Sequence, residues 1–254
     1  MPGMDVSDLG SSLLGETPAM ARLRTRTLEL VGRTIGPLAE SGESVPLVGL
    51  AARNTELRRL APHVRRQVLV LQTDYAYDPE DPGLDLSRRL GMRGVAVQLL
   101  TRPTTPRTHP LLSSIYPNTL LGPVFVRAMV IDDHTAMISG PDDAFGNRVV
   151  WCTHDRAVVA EMLEIWDETL PLARPLLEPG EEPPLTERQL AVARLLCIGE
   201  KDKAIARLLD LSPRTVEREV STLLRVLGVG SRTEAVLEMR GRGVNSGGTD
   251  DLPR

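Results

Sequence analysis

Three arginines and a serine in the stretch "LSPRTVEREVSTLLRVL" (211–227) have the spacing of one helix face. At about 100° per residue, the apolar side chains of this stretch share a narrow stripe that must be buried. That stripe consists of Val216, Val220, Leu223 and Leu227. The opposite face carries Arg214, Arg218, Ser221 and Arg225. Because guanidinium groups pair with guanine O6 and N7 or hold phosphates, this face favours a helix that enters the major groove of DNA.

Two glutamates interrupt the basic surface of this helix. Glu219 lies about 70° from the buried stripe, so we expect it to point at neighbouring helices and to pair with an arginine of the same module. Glu217 lies at the edge of the arginine face, where its carboxylate can accept from a cytosine amino group or hold Arg214 one turn back. Either role lowers the non-specific attraction to phosphates and sharpens the choice of DNA sequence.

Capping residues divide the C-terminal region into four short helices. Thr186 and Gln189 have the spacing of a capping box at the start of the first helix, and "KDKAIARLL" is a short second helix followed by a tight turn. Ser212 is the N-cap of the third helix, with Pro213 at its first position. A second Ser-x-x-Glu box at 231–234 begins the fourth helix. Two short helices joined by a tight turn within such a unit form a helix-turn-helix.

The stretch "LTERQLAVARLLCIGEKDKAIARLLDLSPRTVEREVSTLLRVLGVGSRTEAV" resembles the LuxR-type, or GerE-like, helix-turn-helix of bacterial transcription factors. The resemblance covers about a quarter of the chain. It is carried by Leu185-Thr186, Gly199, Ile205-Ala206, Leu209, Ser212, Thr215-Val216, Leu227-Gly228-Val229, Arg232 and Ala235-Val236, which keep the family's order and spacing.

The resemblance implies an all-α domain that binds double-stranded DNA, acts as a homodimer and regulates transcription. In the family pattern, Thr215, Lys203 and Arg232 correspond to phosphate contacts, and Glu217, Arg218 and Ser221 to residues that face the bases. Together with the arginine face and Thr233, the predicted DNA-binding set is Lys203, Arg214, Thr215, Glu217, Arg218, Ser221, Arg225, Arg232 and Thr233. The fourth helix often forms the dimer contact in such modules, here through Ala235, Val236 and Met239.

Five positions depart from the family pattern. Glu217 stands where lysine is usual and Glu219 where histidine is usual. Gln189 replaces a glutamate, Asp202 an asparagine and Ala204 another glutamate. These departures leave the expected fold unchanged and alter the expected base preference.

The region before this module alternates between strand and helix patterns. "QVLVLQT" (67–73) and "VAVQLLT" (95–101) are short apolar runs typical of buried strands, and "PVFVRAMVID", "TAMISG" and "RVVWCT" are further strand candidates. Helical patterns occupy "AMARLRTRTLELVGRTIGPL", "LVGLAARNTELRRLAPHVRR", "PGLDLSRRLGMRG" and "RAVVAEMLEIWDETLPLA". This order predicts an α/β domain with an at least partly parallel sheet and helices layered on it.

The predicted boundaries follow from these patterns. An α/β effector or sensor domain spans residues 18–173, and the DNA-binding domain spans 185–240. "RPLLEPGEEPP" (174–184) lacks periodicity and is rich in Pro, Gly and Glu, so it is predicted to be a linker. Residues 1–17 are predicted to be a flexible tail and residues 241–254 a disordered one.

The segment "FVRAMVIDDHTAMISGPDDAFGN" resembles the part of the phospholipase D superfamily in which His-x-Lys-x4-Asp precedes a small-residue turn and an Asn. In that family the His is the nucleophile, the Lys holds phosphate and the Asp orients. Here Phe125 stands at the His position, Arg127 at the Lys and Asp132 at the Asp. Phenylalanine cannot attack phosphorus, which excludes phosphodiesterase chemistry by that route.

The resemblance therefore implies a phospholipase-D-like but catalytically inactive effector domain, as in TrmB-like regulators and some actinobacterial LuxR-type regulators. In the alternative interpretation, Arg127 and Asp132 are ordinary residues at the ends of strands. A hydrolase with an accessory DNA-binding module and a protein-binding scaffold are the competing functions. No enzyme activity is expected.

An open α/β sheet binds ligands beyond the carboxyl ends of its strands. At that edge we expect Asp74, Tyr75 and Tyr77 after the first buried strand and Arg102 after the second, together with Arg127. These five residues are the predicted site for a small polar effector or a protein contact, with a solvent-exposed loop as the alternative.

Other functional classes find little support in the sequence. Asp132 and Asp133 come too late in the domain for a phosphorylated receiver. Cys152, His154 and His134 are only fragments of a metal site, so we expect neither a metal nor another cofactor. Two distant cysteines, no signal peptide and no apolar run of about 20 residues predict a cytoplasmic, nucleoid-associated protein without a membrane partner.

Charge is distributed unevenly along the chain. The net charge is −4 over 254 residues. Residues 186–242 contain eleven Arg and Lys against eight Asp and Glu, a net charge of +3, which leaves −7 for the remainder. A basic module on an acidic body is typical of a regulator whose DNA-binding surface is confined to one domain.

Overall fold

The computed structural model describes residues 17–241. The tails predicted at 1–17 and 241–254 lie outside the described residues, apart from Thr17 and Gly241. Thr17 is the N-cap of the first helix, and its side-chain oxygen accepts from the Met20 backbone N–H at 3.3 Å. None of the helices in the described part of the chain is long and apolar enough to span a bilayer.

An eight-stranded mixed sheet forms the core of the N-terminal domain. Its strands are β1 (Ser44–Val48), β2 (Gln67–Gln72), β3 (Ala96–Thr101), β4 (Leu120–Leu121), β5 (Ala128–Ile131), β6 (Thr135–Ser139), β7 (Val149–Thr153) and β8 (Arg174–Pro175). They are ordered β1-β7-β6-β5-β2-β3-β4-β8 across the sheet. β3 pairs in parallel with β2 and β4, and the other pairs are antiparallel. The prediction of an α/β domain with a partly parallel sheet is confirmed.

Ten α-helices lie within the described residues. Those of the N-terminal domain are α1 (Pro18–Ile35), α2 (Pro37–Glu40), α3 (Gly49–Leu60), α4 (Pro82–Met92), α5 (Leu112–Ile115) and α6 (Arg156–Thr169). The C-terminal domain contains α7 (Glu187–Cys197), α8 (Asp202–Leu208), α9 (Pro213–Leu227) and α10 (Arg232–Met239). Short 3₁₀ turns occupy Ala61–His63, Thr105–Arg107 and Leu170–Leu172.

Helices cover both faces of the sheet, because alternate residues of each strand point to opposite sides. On one face, Leu69 and Leu71 of β2 belong to a buried cluster that contains Leu30 of α1 and Met162 of α6. On the other face, Val68 of β2 belongs to a cluster with residues of α3 and α4. The candidate pocket lies on this second face.

Some short elements differ from the prediction. β1 ends within the segment whose pattern predicted the start of a helix, at Leu47 and Val48, and Val45 is largely exposed within the strand. This strand pairs only with β7, so it has no buried alternation, and Pro46 is tolerated at the sheet edge. β8 takes the first two residues of the predicted linker and pairs with β4, where Pro175 lies opposite Leu120. Such two-residue strands are too short to show periodicity.

The C-terminal domain is all-α and has its own apolar core. Val192 and Leu195 of α7 pack with Ile205 of α8 and with Val216 and Val220 of α9. The predicted capping box is present at Thr186, whose backbone N–H donates to the Gln189 side chain at 2.8 Å. The predicted four-helix unit is confirmed.

Candidate functional site

A cavity of about 130 Å³ lies on the sheet face that carries α3 and α4. The sheet supplies an apolar floor, which consists of Val70, Val97, Leu99, Met129, Met137 and Val150. The charged residues of the walls are Arg53, Arg127, Arg148 and Asp81. Tyr75 and Tyr116 also line the cavity, with their hydroxyl oxygens 3.3 Å apart. Burial raises the pKa of both tyrosines, so both hydroxyls are neutral near pH 7.

Two polar groups of the cavity have no hydrogen-bond partner among the described residues. They are the buried Oε1 of Gln72 and the buried Nε of Arg127. Arg127 uses Nη2 to donate to the Asp74 carbonyl at 3.0 Å, which fixes the guanidinium at the cavity wall. The cavity therefore offers one hydrogen-bond donor and one acceptor that the protein itself does not satisfy.

The five predicted ligand residues are divided among three environments. Tyr75 and Arg127 line the cavity. Asp74 and Arg102 lie outside it, with Arg102 Nη1 3.8 Å from Asp74 Oδ1. Tyr77 is only 4% exposed and packs against the C-terminal domain. Two of the five predicted residues therefore line the cavity, and the other three do not.

Sequence reasoning missed Arg53, Gln72, Tyr116 and Arg148. Gln72 had a usable signal, because it is a polar residue at the end of a buried strand. Arg148 similarly precedes β7 directly. Arg53 lies on α3 and Tyr116 after α5, where no local pattern distinguishes them from surface residues.

The three positions that correspond to the phospholipase D motif do not converge. Phe125 packs against the core on the opposite sheet face from the cavity that Arg127 lines. The Asp132 carboxylate accepts from the backbone N–H groups of Arg65, Arg66 and Gln67 at 2.8–2.9 Å. Burial alone would raise the pKa of Asp132, but these three donors lower it below its usual value. Asp132 therefore anchors the segment before β2, as the strand-end interpretation expects.

The fragments of a metal site share a hydroxyl group. His134 Nδ1 and His154 Nδ1 lie 2.8 and 3.0 Å from the Thr135 Oγ1 atom. Cys152 is buried, and burial raises the pKa of its thiol to about 11. Within residues 17–241, no group of three His, Cys, Asp or Glu side chains is placed to hold a metal ion.

The third C-terminal helix, α9, has one buried and one exposed face. Val216 and Leu223 are completely buried, and Val220 is nearly so. The opposite side presents four exposed side chains, which are Arg214, Arg218, Ser221 and Arg225. The helix begins at the Ser212 cap, whose Oγ accepts from the Thr215 N–H at 3.1 Å, and Gly228 ends it with φ of 68°. The arrangement expected from the 3.6-residue period is confirmed.

Glu219 is 6% exposed and faces the other helices, as predicted. Arg218 Nη2 donates to one carboxylate oxygen at 3.1 Å, and Gln189 Nε2 donates to the other at 3.0 Å. Burial raises the pKa of Glu219, but these two donors outweigh burial and the pKa is lowered. Glutamine at position 189 supplies an N–H donor that the usual glutamate lacks, so the departures at 189 and 219 compensate each other.

A second departure from the family pattern also forms an ion pair. The Asp202 carboxylate accepts from Arg232 Nη2 at 2.6 Å. An asparagine could also accept a hydrogen bond, but because it is neutral it could not form an ion pair. The hydrogen bond with Arg232 lowers the pKa of Asp202, and the same bond raises the pKa of Arg232 with a smaller contribution from Glu217. Lys203 follows Asp202 and Thr233 follows Arg232 in the sequence, and both residues are exposed.

Comparison with known proteins agrees with this geometry. Residues 183–239 match the family described as bacterial regulatory proteins, luxR family. The C-terminal unit is a LuxR-type helix-turn-helix domain. The chain is also 29% identical over 150 residues to the bialaphos biosynthetic pathway regulatory protein of Streptomyces hygroscopicus, a match that covers 56% of this chain. It spans about half, 51%, of the length of that relative.

Two solved structures are similar to the chain at low identity. One is TrmBL2, an archaeal chromatin protein, with 16% identity and a TM-score of 0.41 over 67% of this chain and 68% of the other. The other is Nuc from Salmonella typhimurium, a phospholipase D family member, with 14% identity and a TM-score of 0.41 over 52% of this chain and 98% of the other. TrmB-like and phospholipase-D-like proteins are therefore among its structural neighbours.

The fourth helix of the LuxR-type domain does not present the residues expected at a dimer contact. Ala235 and Met239 are completely buried within the single chain, and Val236 is half-buried. Leu237 is the exposed apolar residue of α10, at 54%. The expectation that Ala235 and Met239 are available to a second copy is therefore wrong for this conformation, because they fill the core of their own domain.

The LuxR-type domain docks on the N-terminal domain close to the cavity. Tyr77 and Leu111 belong to one buried cluster with Leu196 and Met239 of the LuxR-type domain. Arg194 Nε donates to the Pro79 carbonyl at 2.7 Å. These contacts join the segment that follows β2 to α7 and α10.

One histidine connects the cavity wall with this docking contact. The ring of His109 lies 5.0 Å from that of Tyr75, which lines the cavity, and 5.6 Å from that of Tyr77, measured between centroids. His109 is 1% exposed, and burial lowers its pKa to about 4, so it is neutral near pH 7. Three rings in tilted and edge-on contact therefore lead from the cavity to the LuxR-type domain.

Proposed function

We propose that the chain is a sequence-specific DNA-binding transcriptional regulator. Its LuxR-type domain reads the DNA, and its N-terminal domain senses a small effector and controls that domain. The observation that carries the proposal is the exposed arginine face of α9, which stands opposite the buried stripe of a LuxR-type domain. A regulatory protein of Streptomyces hygroscopicus among the relatives supports the same role.

The DNA contacts follow from the geometry of that face. Arg218 is held by the buried Glu219, which orients its guanidinium before DNA arrives and lowers the cost of ordering it. Arg214 and Arg225 lie one turn before and two turns after it and reach phosphates or guanines. The remaining proposed contacts are Lys203, Thr215, Glu217, Ser221, Arg232 and Thr233.

Control by the N-terminal domain uses the three contacting rings of Tyr75, His109 and Tyr77. A ligand in the cavity contacts the Tyr75 side chain. A shift of the Tyr75 ring displaces the rings of His109 and Tyr77, because close-packed interiors transmit small displacements. Tyr77 is part of the docking contact, so the ligand changes how firmly the LuxR-type domain is held. This provides the differential contact that a ligand needs to shift a conformational equilibrium.

The proposal does not include catalysis by the N-terminal domain. Phe125 lies in an apolar core and Asp132 is used by three backbone N–H groups, so neither can serve a phosphodiesterase.

As a homodimer the protein would recognise two half-sites about one helical turn apart.

The test is selection of preferred duplexes from a random DNA pool, followed by fluorescence anisotropy on the selected site across a salt series. Arg218→Ala and Arg214→Ala should each weaken binding to the selected site about tenfold or more, since an arginine on a base contributes about 1–3 kcal/mol. Arg22→Ala removes an equal charge at an exposed position of α1 and should have little effect on DNA affinity.

The salt series separates phosphate attraction from base reading. The logarithm of the affinity should fall with the logarithm of salt concentration at a slope that reports several released counterions. Absence of any selected sequence, or equal losses in Arg214→Ala and Arg22→Ala, would contradict the proposal. Circular dichroism of each variant checks that the fold is retained.

A further inference from the structure

We infer that the cavity binds a small carboxylate with an apolar body of no more than about six carbon atoms, since its volume of about 130 Å³ is slightly below that of an engineered cavity of about 150 Å³ that holds benzene. This inference deepens the sensing role and rests on the proposed function for its regulatory meaning. Three features of the cavity favour such a ligand, which are its floor, its charge and its size.

The floor is apolar surface that the fold leaves uncovered. Val70 and Met129 lie on β2 and β5, directly opposite each other near the middle of the sheet, yet both are only half-buried. Leu69 and Leu71, which flank Val70 and point to the other face, are fully buried. Apolar side chains at the centre of an eight-stranded sheet are normally covered, so this surface favours an apolar ligand group.

The walls are positive and their arginines are not neutralised. Among the described residues, none of the three cavity arginines forms an ion pair with a carboxylate. The one acid of the walls, Asp81, accepts from the Gly83 backbone N–H at 2.8 Å and caps α4. This local excess of +2 occurs in a chain whose acids outnumber its bases, 34 to 30.

A carboxylate suits the arginines of the cavity better than a neutral or a larger anionic head. The buried Nε of Arg127 lacks an acceptor, and a planar carboxylate matches the fork of a guanidinium. The unpartnered Gln72 Oε1 is an acceptor, so it can be satisfied only by a hydroxyl or N–H donor elsewhere on the ligand. The volume of about 130 Å³ is filled by one ring or short branched chain, with the head group at the arginine-lined wall.

The experiment is isothermal titration calorimetry of the full chain without DNA, with benzoate, benzamide and phenyl phosphate as probes. Benzoate should bind, and benzamide, which has the same shape without the charge, should bind about tenfold more weakly or worse. Phenyl phosphate should also bind more weakly than benzoate, because its tetrahedral head group is larger than a planar carboxylate and the cavity is small.

Three variants locate the site. Arg127→Gln removes the charge at the wall and should weaken benzoate about tenfold. Val97→Phe fills the cavity from its floor without touching any charge and should abolish binding. Arg102→Gln changes a neighbouring arginine outside the cavity and should bind benzoate as the unaltered chain does. Thermal unfolding of each variant verifies that it is folded.

Several results would overturn the inference. Failure of benzoate to bind, equal affinity for benzamide, or tighter binding of phenyl phosphate would each refute the carboxylate. Unchanged binding in both Arg127→Gln and Val97→Phe would refute the location. If benzoate binds as expected and DNA affinity does not respond to it, the inference stands and the sensing function fails.

Discussion

Acidification should weaken the fold through one buried imidazole. His109 is 1% exposed and lies between the rings of Tyr75 and Tyr77. Burial lowers its pKa from 6.5 to about 4, so the native state resists protonation. The unfolded state takes up a proton first, near pH 6.5, and stability is therefore complete above that pH and falls as the pH drops towards 4.

The size of the effect follows from the difference between the two pKa values. A shift from 6.5 to about 4 amounts, at about 1.4 kcal/mol per pH unit, to a maximum loss of about 3 kcal/mol. At about pH 5 the unfolded state is almost fully protonated and the native state is not, which gives a loss of about 2 kcal/mol. That is a sizeable share of the stability of an ordinary domain.

Urea unfolding of the unaltered chain and of His109→Phe, at about pH 7.5 and about pH 5, measures this difference. Phenylalanine keeps a ring between the two tyrosines but does not titrate, so the variant should lose about 2 kcal/mol less on acidification. His63→Phe, at an exposed histidine, provides the matched control and should behave like the unaltered chain.

The reasoning would be refuted if His109→Phe lost as much stability between the two pH values as the unaltered chain. Such a result would mean that the imidazole is hydrated or that another group carries the pH dependence. A smaller loss in His63→Phe than in His109→Phe would lead to the same conclusion.

Two further predictions concern single contacts. Glu219→Ala should lower the free energy of unfolding by about 1–3 kcal/mol, because it leaves the Gln189 and Arg218 side chains without their shared acceptor. Glu217→Ala, at an exposed position, is the control and should lower it by less than about 0.5 kcal/mol. Thermal unfolding measures both, and equal effects would argue against the buried pair. Tyr77→Ala should lower the free energy of unfolding by about 3–5 kcal/mol, because it removes a buried ring from the contact between the two domains. It should also speed proteolysis between residues 176 and 184. Phe145→Ala, at a residue that is 90% exposed, is the control, and unchanged proteolysis in Tyr77→Ala would show that Tyr77 does not hold the LuxR-type domain.

The C-terminal domain could be predicted almost completely because its determinants are local. Caps such as Thr186 and Ser212, and the stripe that includes Val216, lie within a few residues of the contacts they specify. Even the inward orientation of Glu219 followed from helix geometry alone. Its partner Gln189 could not be predicted, because 30 residues separate the two.

The pocket was predictable only where a strand end marks it. Tyr75 follows a buried strand and was found from that position, whereas Arg127 was singled out by its place in the phospholipase-D-like segment. Arg53 comes from a helix, and its place in the cavity depends on how α3 packs across the sheet. Tyr77 has the same local signature as Tyr75, but it points towards residues more than 100 positions later in the chain, which no local pattern reveals.

The pairing of β8 with β4 determines how far the LuxR-type domain can travel. The chain leaves the sheet at Pro175, and Leu185 already belongs to the buried core that contains Leu196 and Met239 of the LuxR-type domain, so residues 176–184 form the tether. Fully extended, this tether reaches about 35 Å. A released domain therefore stays near its docking surface at an effective concentration of about millimolar. A docking contact with an intrinsic dissociation constant of about 1 mM would then be half occupied, and a change of about 1.4 kcal/mol in the pocket would shift that balance tenfold.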